Sequence, residues 1–442
     1  MKPGDTPVAS SGDLPPTRFA QILLLWLVLR VVTSLWVAVL SPKRPLTDIE
    51  KAVPLWPPSS PVAIWMERAF LAPWERWDAI WYKRILMQGY RADDGTAQFH
   101  PLYPWLAASI ARLGIHPTLA LLLVSSLSTV LLLLLFERLA RLDLAPEHAH
   151  TATLLFAFFP VSFILYAPYS EALFLCFAVL CLLWARRGQW SLAGIAGGLA
   201  ALTRQQGVFL TLPVAWELWT GASGDIRQIL RNWRAWITLA AIPTGMLVWV
   251  FYRAIALSDL SPNFDSFHHL IYSLLISPSA EKVVPVQGFL WPWQAIWRAL
   301  DTIRITRDLH GVIDLTLAAY FLALLALGWR GMNIGYRLYS VAIALVSFSY
   351  YTGPVYPYMG MPRHLLLAFP VFIGLGTVVR RPWQRARIDP FLRLFWRVLS
   401  LALLCIPNMG SVGAQCCTLG PTFCCCVSRP SAGKDRAKGV SI

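Results

Sequence analysis

Uninterrupted apolar runs long enough to cross a bilayer constrain this chain more than any other feature. A hydrocarbon core needs about 20 apolar residues per helix. Residues 19–40 meet that length and 118–136 come close to it. Further runs lie near 151–166, 170–185, 190–204, 207–219, 235–253, 312–329, 336–352, 363–379 and 391–406. The expectation is an all-α polytopic membrane protein of about ten or eleven transmembrane helices. Composition agrees, with 57% hydrophobic and 14% charged residues, against about 25% charged in a soluble domain. The first run is too long for a signal-peptide core, and Ser41-Pro42-Lys43-Arg44 offers no small-residue cleavage site.

Three regions follow: a polar, Pro-rich N-terminus expected to be disordered and cytoplasmic (1–18), a multi-spanning membrane domain (19–406) and a Cys-rich tail expected to be unstructured (407–442). Five of the 8 cysteines, Cys416, Cys417, Cys424, Cys425 and Cys426, sit in that tail. Adjacent cysteines do not match zinc spacings. The abrupt change of composition there also fits an altered reading frame near residue 405.

Charge orients the bundle. The 38 basic and 23 acidic residues leave a net +15. In a soluble protein that excess would point to nucleic acid; in a membrane protein it points to cytoplasmic loops. With the N-terminus inside and the short apolar segment 101–113 re-entrant or interfacial, every short arginine cluster falls on the cytoplasmic side. These are Arg138 and Arg141, Arg186 and Arg187, Arg227, Arg231 and Arg234, Arg330 and Arg337, and Arg380, Arg381, Arg385, Arg387 and Arg393. A full crossing by 101–113 would turn the later clusters outward. The outer face then carries long loops at about 41–100 and 254–311 and turns at 169–171, 204–207 and 362–364. No nucleic-acid partner is expected.

Ionisable residues beside apolar segments are functional candidates because they are costly to place there. In Trp74-Glu75-Arg76-Trp77-Asp78-Ala79-Ile80-Trp81-Tyr82-Lys83, residues Trp74, Trp77, Trp81 and Ile85 share one face if the segment is helical, which suits a helix lying in the headgroup plane. Asp78 sits beside that stripe and could serve as a general base for a hydroxyl; a solvated acid on an amphipathic helix has the same spacing. Glu171 opens a returning span after Pro168, where it could equally cap free N–H groups. Arg204, followed by Gln205, stands at an outer turn and suits a phosphate, or a lipid headgroup reached by snorkelling. Arg363 and His364 begin another outer helix, and the histidine could titrate or simply be hydrogen-bonded. Nucleotide-binding glycine loops and H-E-x-x-H are absent, and His268-His269 is a poor metal spacing. An enzyme of this design takes its activated substrate from the bilayer. Arg30, inside the first apolar run, has no role in this reading.

Three motifs resemble the PIG-V family, the glycosylphosphatidylinositol mannosyltransferase 2 family. They are Arg76-Trp77-Asp78 … Gly89-Tyr90 … Phe99-His100-Pro101-Leu102-Tyr103-Pro104, then Phe159-Pro160-Val161-Ser162 … Tyr169-Ser170-Glu171-Ala172-Leu173-Phe174, then Leu199-Ala200-Ala201-Leu202-Thr203-Arg204-Gln205-Gln206-Gly207. Their order and spacing cover roughly 75–220. His100 stands where that family usually has an aromatic residue, and Gln206 where animal and fungal members tend to have Asn, which suggests a prokaryotic relative.

The resemblance implies a GT-C-like bundle with interfacial helices in its long first outer loop. It implies a mannosyltransferase that uses dolichyl- or polyprenyl-phosphate mannose and inverts the sugar. Its acceptor is a lipid-linked or other glycan, with α-1,6 transfer in GPI-anchor biosynthesis if the chain is eukaryotic. Asp78 is then the catalytic base, Arg204 and Arg363 clamp the phosphate, and Tyr169 and Glu171 orient sugar or acceptor. Arg76, Trp77, Trp81, His100, Gln205 and His364 join them as substrate-binding candidates, with Trp77 and Trp81 flanking a sugar ring or lipid. No cofactor and no metal are required, a small membrane subunit is a conceivable partner, and the expected location is a plasma membrane or an endoplasmic reticulum membrane. The rival readings are a lipid or glycolipid transporter (flippase) without transferase activity, which expects paired charges at the midplane on two repeated halves, and a scaffold subunit with a dead site.

Overall fold

The computed structural model describes residues 14–40, 65, 67–92, 94–259, 288–307, 309–353, 357–358 and 360–378. The span expected at 391–406, the arginines from Arg380 to Arg393, the Cys-rich tail and most of the polar N-terminus lie outside the described residues.

The described residues are mostly helical. α1 (Pro16–Leu40) is 25 residues long, about 37 Å, and starts three residues before its apolar run. α2 (Asp78–Gln88) follows a short 3-10 turn at Ala72–Trp74 and stops at Gly89, whose φ of 74° needs a glycine. α3 (Leu102–Ala111) has 10 residues, about 15 Å, so the segment expected to be re-entrant is too short to cross. α4 (Pro117–Ala140) is capped by His116, which accepts the Thr118 N–H.

α5 (Pro146–Ala157) ends before Pro160, which has no N–H to donate to a helix ladder and crowds the preceding turn. The chain continues as a 3-10 turn, Ser162–Tyr166, where a span to 166 was expected. α6 (Glu171–Arg186) and α7 (Trp190–Thr203) form a hairpin, and a 3-10 turn, Gln205–Leu210, leads into α8 (Thr211–Gly221). Then come α9 (Ile226–Arg231), α10 (Trp233–Ala256), α11 (Pro292–Thr306), α12 (Leu309–Gly328), α13 (Ile334–Ser349), α14 (Met361–Leu365) and α15 (Pro370–Val378). A two-residue antiparallel pair, β1 (Gly288–Phe289) with β2 (Tyr350–Tyr351), sets Gly288 opposite Tyr351.

Among the described residues, four helices are long and apolar enough to cross a membrane: α1, α4, α10 and the stretch Leu309–Gly331 that contains α12. Other apolar runs expected to span form shorter helices, such as α7 with 14 residues and α13 with 16.

One expectation is corrected. The stripe Trp74, Trp77, Trp81 and Ile85 does not form on one helix, because Trp77 has φ 48° and breaks the chain direction just before α2. Trp74 and Ile85 are consequently buried, while Trp77 is 54% exposed.

α6 is apolar around nearly its whole circumference and lies at the centre, packed against α4 and α7. Helices already surrounded by lipid associate through close packing, which small residues permit. At the α7–α10 contact a Cβ on Gly245 would stand 2.8 Å from the Leu202 backbone nitrogen, so only glycine allows this approach. Gly207 plays the same part where the 3-10 turn folds back on α7, since its Cβ would meet the Ala200 carbonyl carbon at 2.7 Å. Gly207→Ala is expected to lower stability by about 1–3 kcal/mol, read as thermal unfolding in detergent. An unchanged transition would show that the turn is not packed as described.

Charge is sorted between the two ends of α6. α6 runs from Glu171 to Arg186, where Arg186 meets Asp143 at 2.9 Å, Glu217 at 3.5 Å and the Tyr336 hydroxyl at 3.2 Å. Buried Glu137 pairs at the same end with Arg141 and His150. Of the arginines assigned to the cytoplasm from sequence, Arg141 and Arg186 thus lie at the end of the bundle opposite Glu171 and Arg204.

Candidate active site

Four charged side chains meet at one end of the bundle because helix ends converge there. Asp78 is the first residue of α2, Glu171 the first residue of α6, and Arg204 the residue that ends α7. Carboxylates at helix N-termini and a cation at a C-terminus match the local backbone dipoles. Arg363 enters from α14, which Gly360 opens with φ 77°.

The pairing is closed and nearly neutral. Arg363 Nη1 contacts Asp78 Oδ2 directly, and its Nε stands 3.8 Å from Glu171 Oε1. Arg204 Nη1 reaches the same Glu171 oxygen at 3.0 Å. Glu171, with its side chain 1% exposed, is thereby shared by two guanidiniums. Arg363 also lies over the Tyr169 ring at 5.5 Å, a cation–π distance.

Charge neutrality does not mean hydrogen-bond saturation. Neither Glu171 oxygen has a hydrogen bond of good geometry, nor do the buried Nε atoms of Arg204 and Arg363. A buried polar atom without a partner costs about 1–3 kcal/mol, so these atoms favour a hydrogen-bonding ligand. The site offers two guanidinium edges to an anion and a carboxylate to a hydroxyl donor.

The structure brings Asp78, Tyr169, Glu171, Arg204 and Arg363 together, and places the other candidates around or away from them. His100 is half-buried, with Nδ1 3.1 Å from the Ala201 carbonyl. Burial first, then Arg204 and Arg253, push its pKa down to about 3. His364 is buried beside Tyr350, with ring centroids 6.1 Å apart. Arg76 is buried and Gln205 half-buried in its 3-10 turn. Trp81 stacks on Phe99 at 6.0 Å with Arg84 over its ring, which directs it to local packing.

Two contributors escaped the sequence reading. Ser170 Oγ accepts hydrogen bonds from Tyr82 Oη at 2.9 Å and from Arg204 Nη1 at 3.0 Å, so it fixes the guanidinium beside Glu171. Tyr82 lies four residues after Asp78, one turn along the same helix face, and that spacing was the available signal. Arg30, without a role in the sequence reading, donates to the Tyr166 carbonyl and lies 5.1 Å from the Trp74 ring centroid. It satisfies a carbonyl at the end of a 3-10 turn.

A second cluster lies beside α2. Glu67, Glu75 and His116 bring ligand atoms within 4.8 Å of one another. Lys83 sits 2.7 Å from Glu75, and His116 Nδ1 already accepts the Thr118 N–H. In a neutral ring Nε2 then carries the proton, 3.1 Å from Glu67. That donor set suits a shared proton better than a metal ion, which would need Nε2 bare.

Fold and site describe a helical membrane protein with a buried, ligand-ready charge cluster at one end. The model of the family described as Mannosyltransferase (PIG-V) matches residues 19–224. The resemblance carried by the three motifs therefore holds over that stretch, which includes Asp78, Glu171 and Arg204, while Arg363 comes from beyond it. A comparison with curated protein sequences gives no match. Among solved structures, the chain is similar to ArnT from Cupriavidus metallidurans bound to undecaprenyl phosphate, with 13% identity, TM-score 0.46, and coverage of 81% of this chain and 60% of that one. The apo state of the same protein gives 14% identity, TM-score 0.46, and coverage of 81% and 59%. The chain thus spans about three fifths of the length of those chains.

Proposed function

We propose that the chain is a membrane glycosyltransferase that moves mannose from a dolichyl- or polyprenyl-phosphate donor to a hydroxyl of a lipid-linked or other glycan acceptor. The transfer takes place on the outer face of its membrane, within a GT-C-like bundle. The observation that carries this reading is the Asp78–Arg363–Glu171–Arg204 quartet, in which both Glu171 oxygens and the Nε atoms of Arg204 and Arg363 lack a hydrogen bond. The family match over 19–224 supports mannose as the sugar.

The acceptor hydroxyl gives its proton to Asp78 as its oxygen bonds the anomeric carbon. On the opposite face the bond from that carbon to phosphate oxygen breaks, and the electron pair leaves with the lipid phosphate. Negative charge grows on that phosphate, where fixed cations are most effective. Arg363 and Arg204 supply them. A donor phosphate that draws Arg363 to itself frees Asp78 from its ion pair, so donor binding and base activation are linked. Glu171 and Tyr169 orient the sugar, Arg76, Gln205 and His364 supply further substrate contacts, and Trp77, 54% exposed, offers an aromatic face to sugar or lipid. The scheme requires no cofactor.

The test is transfer of labelled mannose from a short-chain polyprenyl-phosphate mannose to endogenous acceptors in membranes carrying the protein. Transfer above that of membranes lacking the chain supports the reading. Movement of the donor between leaflets without sugar transfer would instead favour the flippase.

A further inference from the structure

The transfer step leaves the His100 ring without a task, although its position is tightly specified. Its Nδ1 lies 3.1 Å from the carbonyl oxygen of Ala201. A carbonyl oxygen only accepts, so Nδ1 carries a proton there, and a neutral ring then presents Nε2 as a bare acceptor. Ala201 lies in the last turn of α7, three residues before Arg204. The ring is therefore anchored to the helix end that carries a phosphate clamp. Trp249 of α10 stands 6.4 Å away between ring centroids and limits its tilt.

Electrostatics narrows what Nε2 can do. With burial, Arg204 and Arg253 hold the His100 pKa at about 3. The ring is therefore neutral at neutral pH. The ring is then too weak a base to take an alcohol's proton and cannot donate from Nε2 to a phosphate. It can accept a hydrogen bond from a neutral hydroxyl. A sugar joined to a phosphate held by Arg204 brings hydroxyls to this side of the site.

We infer that His100 Nε2 accepts a hydrogen bond from one hydroxyl of the transferred sugar and thereby helps select which hexose is moved. This rests on the transfer reading above. A site built to hydrogen-bond a hydroxyl rejects the analogue that lacks it, because the acceptor is then covered by the bound sugar and left unpaired.

The experiment measures kcat/KM in membranes for short-chain polyprenyl-phosphate mannose and its monodeoxy analogues, with wild type, His100→Phe and His100→Gln. Wild type is expected to use one analogue about tenfold less well than the parent donor, the size of one neutral hydrogen bond. His100→Phe is expected to lose about the same factor on the parent donor and to treat that analogue and the parent alike. His100→Gln, whose amide oxygen can reach the Nε2 position, is expected to restore most of the loss. Should the Phe variant fail to accumulate, His100→Asn replaces it, since its amide serves Ala201 but does not reach the Nε2 position. Wild type indifferent to every monodeoxy donor, or a Phe or Asn variant that keeps the wild-type discrimination, overturns the assignment. A wild type that transfers nothing from the parent donor overturns the transfer reading itself and this inference with it.

Discussion

Asp78→Asn is expected to abolish measurable sugar transfer, with a loss of about 10²–10⁴-fold, while the protein accumulates in the membrane at its usual level. The substitution is close to isosteric. Its amide oxygen can still accept from Arg363, which contacts Asp78 Oδ2, so the local pairing survives. What disappears is the ability to take the acceptor's proton. The position favours a base for a structural reason as well: Trp77 at φ 48° turns the chain sharply and starts α2 at Asp78. A non-glycine residue in the positive-φ region costs on the order of 1–3 kcal/mol and is sustained where surrounding structure over-determines it. That strain holds the carboxylate at the mouth of the quartet rather than along a continuous helix. The measurement is initial transfer rate per amount of protein, on membranes carrying wild type or variant. A variant within threefold of wild type would remove Asp78 from the base role and leave it a partner of Arg363.

The divided legibility of this site has a physical basis. Glu171 and Arg204 stand out in the sequence because each is an ionisable residue at the edge of an apolar run, where lipid or helix packing makes charge costly. Asp78 stands out instead in the long outer loop, beside a tryptophan stripe and within the Arg76-Trp77-Asp78 motif. The sidedness of the bundle is readable for a related reason, since arginines such as Arg141 and Arg186 cluster in short connections. Which charges touch is another matter. Arg363 reaches Asp78 across 285 positions and Tyr82 reaches Ser170 across 88, and neither pairing leaves a local spacing to read. Periodicity also misled at Trp74–Trp81, because it assumes one continuous helix and a single positive φ at Trp77 cancels it. Proline acted similarly at 160, dividing one apolar run into α5 and a 3-10 turn. Arg30 looked unexplained because its partner is a backbone carbonyl, at Tyr166, and carbonyls carry no sequence signal.

Glu171→Gln is expected to change stability and ligand response in opposite senses. In the wild-type quartet two carboxylates face two guanidiniums, so the formal charge is zero. Removing the Glu171 charge leaves Arg204 without a carboxylate and Arg363 with Asp78 alone. Breaking a buried pair by neutralising one partner costs about 3–5 kcal/mol. The guanidiniums here retain some solvent contact, with side-chain exposures of 12% and 18%, which places the expected loss nearer to about 2–3 kcal/mol. The same uncompensated positive charge should hold an anion more tightly. Polyprenyl phosphate added to detergent-solubilised protein is therefore expected to raise the variant's thermal transition by more than it raises that of wild type, through binding to the folded state. Sugar transfer by the variant is nevertheless expected to fall, because the carboxylate that positions the sugar is gone and the product phosphate leaves more slowly. A variant as stable as wild type, with the same response to polyprenyl phosphate, would mean that Glu171 does not hold the two arginines in balance. A variant that loses stability but gains nothing from the phosphate would make Glu171 a structural counter-ion and place the donor elsewhere.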